Sequence, residues 1–126
     1  MSIIHDNEII SYEVNLKNEV INIHTLSESG QKITLFFSGV LAHMFETHLS
    51  GSIIFDIEKT ELRHFFVENR DLIEKQKDYC WPIDYTDIQE LEDKLVKHQY
   101  SYYVISASFG LNGWILAKKY EISSPY

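Results

Sequence analysis

The run Tyr100 to Ile122, Y-S-Y-Y-V-I-S-A-S-F-G-L-N-G-W-I-L-A-K-K-Y-E-I, constrains the fold more than any other stretch of the chain. Asn112-Gly113 carries the strongest hairpin signal, because a two-residue type I′ turn needs positive φ at both central positions and Asn and Gly tolerate it best. Pairing Leu111 with Trp114 then sets Phe109 opposite Leu116, Ala107 opposite Lys118, Ile105 opposite Tyr120 and Tyr103 opposite Ile122, an almost wholly apolar face. On the other face this register places Ser108 by Ala117, Ser106 by Lys119 and Val104 by Glu121, the wet side of an antiparallel pair. Lys118 falls on the apolar side, so it must snorkel at the sheet border or mark a bulge, for which Gly110 is suited.

Upstream, Ile9 to Leu16 alternates strictly and predicts a half-buried strand. A tight turn at Lys17-Asn18 pairs Val14 with Ile21 and Tyr12 with Ile23, and Lys32 to Ser38 reads as a third strand with Ile33, Leu35 and Phe37 facing in. Val40, Leu41, Met44, Phe45 and Leu49 recur at helical spacing and predict a short helix closed by Ser50-Gly51. Ser52 to Glu58 predicts a fourth strand. Thr60 suits the N-cap of a helix running to about Tyr79, with Leu62, Phe65, Phe66, Leu72 and Ile73 on its inner face. Pro82 breaks that helix, and Thr86 with Gln89 matches a capping box that opens another, inward at Ile88, Leu91, Leu95 and Val96, to about His98. The pattern predicts an α+β, two-layer fold: a largely antiparallel sheet of about six strands with two longer helices and one short helix.

At 126 residues with 44% hydrophobic and 24% charged residues, the chain suits a single domain, 1–126, that buries a core without metal or disulfide staples. Its net charge of −8 argues against nucleic acid or an anionic membrane surface as partner, since phosphates are held by Lys and Arg. A lone cysteine, Cys80, forms no intramolecular disulfide and fits a reducing compartment. With no signal-type N-terminus and no long apolar run, the expectation is a cytoplasmic protein.

Candidate chemistry is sparse. Cys80 has no local signature linking it to a histidine at 5, 24, 43, 48, 64 or 98, and a free thiol beside Trp81 is ordinarily packing. His43 and His48 flank Glu46 but lie five apart, whereas metal ligands on one helical face lie three or four apart. Asp56, Glu58 and Glu61 suggest a paired-carboxylate site, yet a strand end meeting water explains the same letters. Neither a G-x-G-x-x-G nor a P-loop is present. No catalytic residue, cofactor or metal is therefore expected; the rival reading is a small enzyme using Cys80 or the Asp56/Glu58 carboxylates.

The acids say more. Between Asp56 and Asp93 stand twelve acidic against five basic residues, a net of −7, around the aromatic corner Tyr79, Trp81 and Tyr85. Charge runs usually serve only solvation, but acids around aromatic anchors also suit a protein-binding surface. The candidate binding residues are Trp81, Asp84, Tyr85, Asp87 and Glu90.

The motifs F-S-G-V-L-A-H-M-F-E, S-I-I-F-D-I-E, Y-C-W-P-I and Y-Y-V-I-S-A-S-F-G-L-N-G-W-I-L-A-K, which span most of the chain, resemble a group of small uncharacterised proteins of Gram-positive bacteria. Some of that group are encoded near cell-wall-associated polymorphic toxins. The resemblance implies an immunity-like role: a cytoplasmic binder whose partner is a basic toxin domain. These motifs are strand, turn and core patterns, so they transfer no catalytic residue. A third expectation is an interaction module without a toxin partner.

Overall fold

The computed structural model describes residues 4–76, 85 and 87–123. In chain order the elements are β1 Glu8–Asn15, β2 Val20–Leu26, β3 Lys32–Ser38, β4 Ala42–Glu46, β5 Ile53–Thr60, α1 Leu62–Glu68, α2 Arg70–Gln76, α3 Ile88–Lys97, β6 Ser101–Phe109, β7 Asn112–Ala117 and β8 Lys119–Ser123. All eight strands belong to one antiparallel sheet in the order β4-β7-β6-β5-β1-β2-β3-β8. The fold is thus dominated by an eight-stranded sheet with three helices among the described residues, which corrects the expected sheet of about six strands.

The two ends of that order are joined by the chain itself. Only Gly39 to Leu41 separate β3 from β4, and only Lys118 separates β7 from β8. Pairings run β1 to β2 to β3 to β8, the chain passes from β8 back to β7, and pairings resume from β7 to β6 to β5 to β1. The sheet therefore closes on itself as a barrel. Bulges bend it: Ile10 is the extra residue between the Ile9↔Thr25 and Ser11↔His24 pairs, and Phe55 between Ile54↔Ala107 and Asp56↔Ser106. Closure is narrowest between β1 and β5. There the Glu8↔Ile53 pair is flanked by Ile9 N–H donating to Ser52 O (2.8 Å) and Ile54 N–H to Asn7 O (2.9 Å).

The barrel interior holds a core built from Ile21, Ile23, Leu35, Phe37, Ile54, Tyr103, Ile105 and Ile115, all buried. Phe37 of β3 meets the ring of Tyr103 of β6 edge-on at 5.4 Å, although the two strands are not sheet neighbours; the contact crosses the interior. A second core lies outside. Phe65 and Phe66 of α1, Ile73 of α2, Leu91 and Leu95 of α3 pack on Tyr102, Trp114 and Leu116 of β6 and β7. Alternate residues of β7 therefore enter two different cores, and Trp114 to Ala117 are buried without interruption.

This double burial explains the departures from sequence. The β1/β2 register is the one expected, Val14↔Ile21 and Tyr12↔Ile23, and β3 spans Lys32–Ser38 with Ile33, Leu35 and Phe37 buried. The β6/β7 register is not: Val104 pairs with Trp114 and Ile105 with Gly113, while Tyr120 and Ile122 pair with β3. An expected wet face is covered by helices, and Phe109, expected inside, is 52% exposed. The helix expected over 40–49 is instead strand β4. Its apolar letters fall at helical spacing because Ala42 and Met44 meet the outer core while Val40 and Phe45 meet the inner one.

The long helix after Thr60 is two, since Asn69 leaves helical geometry (φ −120°, ψ 24°) and turns its side-chain amide onto Phe65 O at 3.1 Å. Glu61, not Thr60, holds the N-cap position; Thr60 ends β5 and its hydroxyl lies 2.8 Å from His64 Nδ1. Helix α3 is capped by Asp87, whose carboxylate accepts from Glu90 N–H at 2.8 Å, while Thr86 lies outside the described residues. Val96, expected inward, is exposed.

Gly113 is the position on which the β4 edge rests. It sits within β7, not in a turn, and a Cβ there would collide with Met44 O and with Phe45 of β4. The turn glycine is Gly110 (φ +82°), where Leu111 N–H donates to the buried Ser52 Oγ at 2.9 Å. Gly113→Ala is therefore expected to cost about 1–3 kcal/mol in chemical denaturation, the usual price of overpacking. Asn112→Ala is expected to lose only a bond to Gly110 O, on the order of 1 kcal/mol or less. Equal costs at the two positions would restore the type I′ turn reading.

Candidate functional site

The helical layer sits on the outer faces of β4, β7 and β6, where Ala42, Met44, Tyr102, Val104, Trp114 and Leu116 present a continuous apolar surface. Phe65 is its centre, with ring centroids 4.9 Å from Trp114 and 5.3 Å from both Phe66 and Tyr102, all edge-on. Such geometry sets the positive ring edge against the negative face. Tyr85 closes the layer from the α3 side: it is buried, and its hydroxyl donates to Ile73 O at 2.9 Å. Tyr85 is thereby tied to α2.

Carboxylates occupy the outer surface of this layer. Asp71 and Asp93 are exposed; Glu61 pairs with Arg63 at 2.9 Å, Glu74 with Arg70 at 3.2 Å and Glu90 with Lys94 at 3.1 Å. These are surface pairs, each contributing little to stability. Glu68, the last residue of α1, is held differently. Tyr102 donates its hydroxyl proton to Glu68 Oε2 at 2.6 Å, and Asn69 Nδ2 reaches the same hydroxyl at 3.4 Å. Burial, and next the bond to Glu68, push the Tyr102 hydroxyl well above the ordinary tyrosine range, so it keeps its proton and serves Glu68 as a fixed donor.

The residues singled out from sequence fare unequally. Asp87 and Glu90 stand on the first turn of α3, Asp87 committed to its cap and Glu90 to Lys94. Tyr85 belongs to the core of the layer and presents no ring to a partner. Trp81, Asp84 and Cys80 lie outside the described residues. His43 and Glu46 lie on β4 and His48 follows it; His48 Nε2 meets Tyr12 OH at 2.8 Å, and burial lowers the His43 pKa. No group of three or more His, Cys, Asp or Glu suited to a metal occurs among the described residues. Asp56 turns Oδ1 onto Ile57 N–H at 2.8 Å, a local backbone cap.

Sequence reasoning missed Glu46 and Glu68. They line one recess of about 410 Å³ with Asn69, Tyr102, Val104, Asn112 and Trp114. Nothing in the letters joins these positions: they come together only through the β4/β7 pairing and the seating of α1 on β6. No family model matches the chain, and no curated protein matches it. No helix among the described residues is long and apolar enough to cross a membrane.

Alkaline titration checks the aromatic layer. Tyr102 and Tyr120, the latter pushed up to about 12 chiefly by burial, have folded pKa values above the unfolded 10.0. Their neutral forms thus support the fold fully below pH 10, and that support drains as pH rises from there through the folded values. Tyr102→Phe is expected to lower stability at pH 7 by about 1.5–3 kcal/mol, the worth of a hydrogen bond to a charged group, and to flatten the alkaline fall. Denaturation midpoints from pH 7 to 11 measure both; an unchanged alkaline slope counts against the assignment.

Proposed function

We propose that the protein is an acidic protein-binding domain that receives a basic partner on its helical layer, as an immunity-type inhibitor receives a toxin domain in the cytoplasm. The observation that carries this reading is the density of acids along one stretch of the chain. The segment 56–93, which supplies most of β5, α1, α2 and the first part of α3, has a net charge of −7, and Lys94 and Lys97 follow it at the end of α3. Residues 61–97, which carry the helices, hold ten acidic and six basic residues, a net of −4, and the strand-bearing remainder also nets −4 but over more than twice as many residues, so the acids are densest in the helical part of the chain. At that density they favour a cationic protein surface by raising encounter rates, and a toxin that acts on nucleic acids would offer such a surface. The likeness to small Gram-positive proteins encoded near toxins points the same way. Trp81, Asp84, Asp87 and Glu90 remain the proposed contact residues, with the buried Tyr85 as support.

The test is binding kinetics with any toxin domain encoded beside this gene. Asp71→Asn combined with Asp93→Asn removes two exposed charges and leaves the α3 cap intact. It is expected to slow association about threefold to tenfold at low salt, with the difference shrinking as the Debye length falls to roughly 3 Å near 1 M. Trp81→Ala is expected to act on dissociation instead. Salt-independent association, or no association, overturns the reading.

A further inference from the structure

We propose that the recess bounded by Glu46, Glu68, Asn112 and Trp114 is the seat of a single arginine side chain of the basic partner. This rests on the acidic-binder reading and narrows it to one anchoring contact. Two carboxylates alone would not make a site; what distinguishes this place is the concavity and its two-sided chemistry. Its floor is the outer face of β6 and β7, where Val104 is half-buried and Trp114 is 7% exposed. Its walls carry Glu68 at the end of α1 and Glu46 at the end of β4, and no Lys or Arg lines it among the described residues. A volume of about 410 Å³ is at the small end of the range that takes compact ligands, adequate for one long side chain.

An arginine satisfies both parts of the recess. Its alkyl stem covers the apolar floor, and its planar guanidinium offers five donors to the acceptors around the mouth. Glu68 is prepared for this role. The Tyr102 hydroxyl fixes Oε2, and Oε1 has no hydrogen-bond partner among the described residues. The carboxamide oxygen of Asn112 adds a neutral acceptor, because its nitrogen is spent on Gly110 O at 3.1 Å.

The experiment uses the intact protein and acetyl-hexa-arginine amide as probe, followed by the amide signal of Gly113 and the indole N–H of Trp114 in proton–nitrogen spectra. Both signals are expected to shift and saturate. Glu46→Gln and Glu68→Gln, the latter keeping an acceptor for Tyr102, are each expected to weaken the affinity about fivefold. Glu28→Gln removes an equal charge from the exposed Ser27–Gln31 loop and is expected to change it by less than about twofold. A hexa-lysine peptide is expected to bind about threefold more weakly, lacking the planar fork. Equal weakening in all three variants, or salt-sensitive binding with Gly113 and Trp114 unmoved, overturns the recess and leaves the acidic layer standing. Equal affinity for lysine overturns the choice of arginine, and no binding of either peptide overturns both readings.

Discussion

The double burial of β7 is the constraint on which the rest of the molecule depends. Ile115 and Ala117 enter the barrel, Trp114 and Leu116 enter the helical layer, and all four are almost wholly removed from water. At roughly 25 cal/mol per Å² of apolar surface, each large side chain here contributes about 1.5–3 kcal/mol before entropy is charged against it. A strand buried on one face needs only one partner layer. β7 needs two: the side chains filling the barrel interior cover one face and α1 and α3 the other, while β4 pairs along its edge. Remove the helices and Trp114 faces water; remove β4 and the backbone edge of β7 is exposed.

That same feature decided what was legible in the letters. The β1/β2 hairpin was readable because one side of its strands is apolar and the other polar, so a slip by one residue would move every side chain to the wrong face. β7 has no such polar face. The run W-I-L-A is compatible with either orientation, and the Asn112-Gly113 signal then selected a turn that the chain does not make. In place of a turn, Gly113 serves a close approach of strands, a second and equally physical reason for glycine. For β4 the failure is similar: a strand covered on both faces shows apolar residues at positions 40, 41, 44 and 45, which a helix would also produce.

Of the candidate site, the acid-rich segment around α3 was visible as composition, and the N-terminal cap of α3 was placed one residue early. The recess was not visible. Glu46 and Glu68 are separated by a strand, a turn and a helix, and Trp114 by most of the remaining chain, so only tertiary pairing brings them to one place. Tyr102 had a signal of another kind: a tyrosine within an apolar strand must find a partner for its hydroxyl, and an acid on the covering helix is the natural one.

The higher density of acids in the helical cover also has an energetic consequence within the folded state. Like charges on α1, α2 and α3 repel one another, and their local relief comes from exposed pairs, Arg70 with Glu74 and Lys94 with Glu90, that are weak and screened. The helices are short, α1 and α2 seven residues each, so they are held by Phe65, Ile73 and Leu91 on the sheet more than by their own propensity. A cover of this kind opens before the barrel does. Binding of the proposed basic partner at the layer would relieve the repulsion and tighten the helices at once, so the charge that weakens the cover in isolation would be the term by which such a partner stabilises it.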